Sequence, residues 1–120
     1  MEKVYIISRY RADSDKELRF NQMVARYFCR QIVEEGNAPV APHLFYTQFL
    51  DDEYEADREI GTYMGLMDLS GCQEFLLVII DGIISAGMNR ELIEASRLGI
   101  PGRIVTMTRA QINEAMKVVI

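Results

Sequence analysis

The strongest constraint on this chain is a strand, a short loop and a helix in direct succession. Phe75 to Ile80 is an almost uninterrupted apolar run, the pattern of a strand, Glu74 to Ile80, buried on both faces of a parallel sheet. Asp81-Gly82-Ile83-Ile84-Ser85-Ala86-Gly87 follows, and then an amphipathic segment from about Gly87 to Leu98 that reads as a helix. Strands that alternate with helices build an open α/β sheet, and such sheets bind ligands beyond the carboxyl ends of their strands. Helix N-termini there offer free N–H groups to anions. One acid, one hydroxyl and two glycines in this loop, with Glu91 about one turn into the helix, point to a small-molecule site.

The rest of the chain repeats the alternation. Lys3 to Ser8 reads as a first strand and Ser8 to Asp13 as a polar loop at its end. Phe20, Met23 or Val24, Tyr27 or Phe28, and Ile32 recur at helical spacing, which predicts a helix from about Asp15 to Glu35 stopped by Gly36. Ala38 to Pro42 is a short second strand, and His43 to Leu50 reads as a loop rich in aromatics. The acidic Asp51-Asp52-Glu53 favours a helix N-terminus, and that helix runs to about Ser70. Arg103 to Met107 is a fourth strand, and Thr108 caps a last helix through Met116. Val118 to Ile120 adds an edge strand or packs against a neighbour. The expected fold is a three-layer α/β/α sandwich with a four- or five-stranded parallel sheet, flavodoxin-like or Rossmann-like. A single domain over residues 1–120 is expected. Its loops after the first three strands share one rim.

Composition narrows the function classes. The net charge of −5 disfavours polymeric nucleic acid as a partner, which calls for a basic face. A single nucleotide needs only a few local donors. Cys29 and Cys72 are isolated, with no CxxC pair and one histidine in the whole chain. That fits a reducing cytoplasm and disfavours a metal site or a disulfide frame. The apolar run Val4 to Ile7 is too short for a signal peptide or a membrane span, so a cytoplasmic protein away from membranes is expected. The chain has no Walker A loop, GxGxxG, GxSxG or HExxH, which leaves NTPase, α/β-hydrolase and zinc-protease readings without support.

Several residues carry two readings each. Glu91 is a nucleophile, a base, or a surface charge that stabilises the helix dipole. Ser85 caps the helix, holds an anion, or does both, because the geometry is shared. Gly87 lets a ligand approach the backbone. Arg9 and Arg11 flank Tyr10 and suit bidentate phosphate recognition, or they belong to a solvated loop. His43 is an acid, a base, a ligand-contacting ring or a structural residue. Phe45, Tyr46 and Phe49 form an aromatic wall for a base or pack in the core. Asp81 is a functional acid at a strand end or the start of a turn with Gly82.

Three stretches together resemble the nucleoside 2-deoxyribosyltransferase superfamily. They are Tyr5-Ile6-Ile7-Ser8-Arg9-Tyr10-Arg11, Ala41-Pro42-His43, and Ser85-Ala86-Gly87-Met88-Asn89-Arg90-Glu91 followed by Ala95 and Leu98-Gly99-Ile100-Pro101. The nearest resemblance is to its small members, the 2′-deoxynucleoside 5′-monophosphate N-glycosidases and related uncharacterised proteins. In the transferases the last segment begins with Asp; in the monophosphate glycosidases it begins with Ser, as it does here at Ser85. The resemblance implies that Glu91 attacks or stabilises C1′ of the sugar and that Tyr5 orients it or contacts the sugar. It implies that Arg11 and Ser85 hold the phosphate with the Gly87 backbone, among a binding set that also takes in Ser8, Arg9, Tyr10, Phe45 and Met88. It implies no metal and no organic cofactor, a nucleoside or nucleotide as small-molecule partner, and a homodimer or larger homo-oligomer. The chain departs from the family where an Asp would fall near Gly65. His43 or Asp81 would then supply the proton to the leaving base, or the substrate differs, or hydrolysis is weak or lost and the protein binds a nucleotide without turning it over. The region Thr47 to Glu59 is particular to this branch and would reshape the base pocket.

Overall fold

Alternation along the first strand sorts its side chains onto two faces, and both faces are covered. The computed structural model describes residues 1–118. Strand β1 (Lys3–Ile7) sends Val4 and Ile6 to one side and Tyr5 and Ile7 to the other, all four buried. It is flanked by β2 (Ala38–Val40) and β3 (Glu74–Ile80), and β4 (Gly102–Met107) lies beyond β3. The order is β2-β1-β3-β4 and every pairing is parallel. The three-layer α/β/α expectation is therefore met with four strands.

Helix α1 (Asp15–Glu34) starts where Ser14 Oγ accepts the N–H of Glu17, and ends before Gly36, whose φ of +86° only glycine adopts without strain. Its stripe Val24, Phe28 and Ile32 packs with Val4, Ile6, Leu76, Val78 and Ile112 into one core. Ile112 comes from α5 (Arg109–Val118), which begins with a reciprocal cap between Thr108 and Gln111. The second core lies on the other face. There Tyr5, Ile7 and Leu77 meet Leu69 of α3 (Glu55–Ser70) and Met88 and Ala95 of α4 (Ala86–Arg97).

The structure corrects the sequence reading in four places. Residues 43–50 are not an open loop: α2 (Pro42–Phe45) and a 3-10 turn (Tyr46–Gln48) occupy most of them, and Thr47 Oγ1 bonds back to the carbonyl of His43. The second strand stops at Val40, because Pro42 is the first residue of α2, a position that needs no N–H. Asp51 to Glu53 do not open α3. They form a turn in which the Asp57 carboxylate accepts the N–H of Asp51, and Glu55 and Asp57 are the acids of the first helical turn. Val118 closes α5 rather than starting a strand, and the expectation for Val119 and Ile120 lies outside the described residues.

Candidate functional site

The carboxyl ends of β1, β2 and β3 open onto a cavity of about 470 Å³. One wall is the loop after β1. Ser8 is buried at its start, Arg9 and Tyr10 are half-buried, and Arg11 is exposed and lies 3.6 Å from Asp52. Asn21 of α1, itself buried, donates to the carbonyl of Tyr10 at 3.0 Å and pins this loop. The Tyr10 ring stacks on His43 at 4.9 Å between centroids. Burial lowers the pKa of His43, against a weaker opposing pull from Asp52.

A second wall is the start of α4. Ser85 Oγ accepts the N–H of Met88 at 3.2 Å, and the Met88 sulfur accepts the N–H of Ser85. Ala86 and Gly87 line the cavity and stand in the first turn of α4, where N–H groups have no intrahelical acceptors. Arg90 lies on the same wall.

Glu91 and Tyr5 form the floor. Glu91 is only 7% exposed, which overturns its reading as a surface charge. The strand and the helix bring together two residues that stand 86 positions apart in sequence: the Tyr5 hydroxyl donates to Glu91 Oε2 in a short hydrogen bond. Glu91 Oε1 is buried and has no hydrogen-bond partner. Burial pushes the Glu91 carboxyl up to about 7, against lowering contributions from the Tyr5 hydrogen bond and Arg90. Burial, followed by the charge of Glu91, raises the Tyr5 phenol, so it stays a donor. A carboxyl placed this way is poised near neutral pH, with one oxygen held and the other left without a partner.

The third wall was not anticipated as such. Arg58, Gly61, Thr62 and Gly65 of α3 all face the cavity. Tyr46, Thr47, Leu50 and Asp52 complete it from the preceding segment. The Tyr46 hydroxyl donates to Asp68 Oδ2 at 2.9 Å, which raises its pKa. The spacing of Arg58, Gly61, Thr62 and Gly65 at i, i+3, i+4 and i+7 is the signal that could have found this face. Arg9, Arg58 and Arg90 have no carboxylate within 4 Å among the described residues.

Three residues expected at the site lie elsewhere. Asp81 takes φ +54° at the end of β3, and its Oδ1 accepts the N–H of Arg109 at 2.9 Å, so it caps α5 outside this cavity. Phe45 points outward and is 56% exposed, because α2 turns it away toward Tyr46 and Phe49. Met88 is buried in the second core, where its side chain belongs to the cap of α4. Phe49 is likewise exposed. Both cysteines are free thiols, pushed up to about 11 mainly by burial, which leaves them poor nucleophiles. Among the described residues no cluster of His, Cys, Asp and Glu could hold a metal ion, and no helix is long and apolar enough to cross a membrane.

The fold is similar to that of a 2-deoxyribosyltransferase from the psychrotolerant bacterium Bacillus psychrosaccharolyticus. The match has a TM-score of 0.60 and 17% identity, and covers 87% of this chain and 72% of that one. No curated protein matches the sequence. Residues 2–105 match the family described as a domain of unknown function, DUF7768, and the chain belongs to that family.

Proposed function

We propose that this protein breaks the N-glycosidic bond of a nucleoside 5′-monophosphate, passing the sugar to water or to a second base. The observation that carries the reading is the Glu91 carboxyl: buried at the cavity floor, one oxygen held by Tyr5, the other without a partner. Cleavage builds oxocarbenium character at C1′, and a close carboxylate stabilises or traps it. The C1′–N bond breaks with its electron pair going to the base, which takes up a proton. Water or a second base then displaces Glu91 from C1′. The phosphate sits at the start of α4, on the N–H groups of Ala86 and Gly87 and the Ser85 hydroxyl, with Arg9, Arg11 and Arg90 around it. Ser8 and Tyr10 shape that end. With Asp81 outside the cavity, His43 is the remaining candidate proton donor that lines it.

The fold shared with a 2-deoxyribosyltransferase and the resemblance of Ser85 to Glu91 both support this chemistry. A second reading, nucleotide binding without turnover, is favoured by one observation: Gly65 faces the cavity beside the Tyr5 hydroxyl, where the related enzymes carry an acid. An exposed apolar stripe on α3, Ile60, Tyr63, Met64 and Met67, supports assembly into a homo-oligomer.

The test is chromatographic detection of free base from nucleosides and 5′-monophosphates, ribo and deoxy, with wild type and Glu91→Gln. Release from a monophosphate is expected, and its loss in Glu91→Gln by on the order of 10³-fold or more. Ligand binding with no release from any substrate at high enzyme concentration would select the binding reading.

A further inference from the structure

We infer that the cavity face of α3 is a bare shelf for a purine ring, and that Arg58 at its end reads the O6 and N7 acceptors of a 6-oxopurine. This deepens the glycosidase reading and rests on it for the nucleotide nature of the ligand.

Glycine is the poorest helix former after proline, yet α3 holds two in its interior, both on the cavity face. Gly65 is buried against Tyr5 and Pro42, so the fold itself accounts for it; Gly61 has no such neighbours. A methyl group at position 61 would meet nothing nearer than Leu50 Cδ1 at 3.6 Å. At position 65 the nearest atoms are Tyr5 Oη at 3.4 Å and Pro42 Cβ at 3.5 Å. These are ordinary van der Waals separations, and neither glycine has a positive φ. The clearance in front of Gly61 is therefore open to a ligand rather than filled by the fold.

Glu91 gives the independent pointer. Its unpartnered Oε1 is buried at the same floor, and its Tyr5 partner is the atom nearest to the missing side chain at Gly65. A sugar with C1′ at Glu91 and its phosphate at α4 directs its base along α3, away from Gly65 and toward Arg58. Those two residues stand seven apart, about 10 Å along the helix axis, within the combined reach of a purine and an arginine side chain. Arg58 is half-buried and has no carboxylate partner among the described residues, so its guanidinium is free. Its planar fork matches two acceptors side by side, which guanine or hypoxanthine presents at O6 and N7; adenine puts a donor at the first. The same contact draws off charge as the C1′–N9 pair moves onto the base, before water or His43 delivers the proton. That supplies leaving-group stabilisation on the helix that lacks the family's acid.

The test uses Glu91→Gln protein, so that binding is read without turnover, and four probes: the deoxy 5′-monophosphates of guanosine, adenosine and cytidine, and deoxyribose 5-phosphate. Into it go Gly61→Ala, Gly61→Leu and Arg58→Gln, with melting temperature and calorimetric affinity as readouts. The expected result pairs opposite signs. Gly61→Ala melts higher, because alanine is the better helix former. Gly61→Leu weakens the guanosine nucleotide by about tenfold or more and leaves the sugar phosphate unchanged. Arg58→Gln removes a guanosine-over-adenosine preference of about tenfold. A lower melting temperature in Gly61→Ala would assign the glycine to packing and overturn the shelf, as would purine affinity indifferent to Gly61→Leu. Equal affinity for all three nucleotides in the parent protein would overturn the role of Arg58. Intact base selectivity with no base release by the wild type would sink the glycosidase reading and leave the shelf standing.

Discussion

On the face of the sheet covered by α1 and α5, two arginines are fully engaged. Arg109 is held by both oxygens of Glu17 at 2.9 Å, lies 3.8 Å above the Phe20 ring, and gives its N–H to Asp81. Arg103 bridges Glu35 at the end of α1 and Glu74 at the start of β3. On the face covered by α3 and α4, Arg97 pairs with Glu94, but groups that line the cavity are left open: Arg58, Arg90 and one oxygen of Glu91 have no partner among the described residues. Paired ions are saturated and can only hold structure. Unpaired groups in a cavity cost stability and keep their bonding capacity for something else. The difference teaches where to look for chemistry: Asp81 and Glu91 both follow β3 in sequence, and only the second is unspent.

The largest separation of the two faces should come from Phe28→Ala. Phe28 is buried in the apolar core beneath α1, and removing its ring should cost about 3–5 kcal/mol. Denaturant unfolding should show that loss, while nucleotide affinity per folded molecule stays at the wild-type value. A comparable loss of affinity would mean that the sealed face communicates with the cavity, and the division between the faces would fall.

Glu91→Gln should act in the opposite sense, through pH. The Glu91 carboxyl is raised from 4.5 to about 7 in the folded state. Below the unfolded value both states hold the proton and the group contributes nothing. Between 4.5 and about 7 the unfolded chain ionises first, so the native state holds more protons and stability falls as pH rises. Above about 7 the cost is complete, on the order of 3 kcal/mol. The glutamine variant should therefore match wild type at about pH 4 and exceed it at about pH 8, by up to that amount. Turnover by the ionised carboxylate should rise across the same interval. Parallel stability curves for the two proteins would show that the Glu91 environment does not oppose its charge.

How much of this was open to sequence depends on the range of the interaction. The strands and the long helices were legible because periodicity is local: Val4 to Ile7, Phe75 to Ile80 and the stripe Val24, Phe28, Ile32 carry their own pattern. Ser85 as the cap of α4 was legible for the same reason. The segment from Pro42 to Gln48 was not, since helices of three or four residues have no period to read. The burial of Glu91 was hidden because it involves Tyr5, a partner on β1 far away in sequence. Asp81 misled because a strand-end acid serves a helix cap as readily as a reaction. Arg58 and Thr62 were missed because the rotation of α3, set by Leu69 and Gly65 against the sheet, decides which stripe meets the cavity.

The smallest effect tests whether Ser85 belongs to the fold, to the site, or to both. Its hydroxyl caps α4 through the N–H of Met88, and Ser85→Ala should cost about 1 kcal/mol of stability. A residue that only caps would stop there. A hydroxyl that also meets a phosphate adds a penalty that depends on the ligand: KM for the 5′-monophosphate should rise several-fold, while KM for the unphosphorylated nucleoside stays put. Ser85→Asp separates the two roles more sharply, because aspartate caps a helix as well as serine does and repels a phosphate. Retained stability with lost monophosphate affinity in that variant would place Ser85 on the open side of the comparison. Retained monophosphate affinity would return Ser85, and the start of α4 with it, to the structural side.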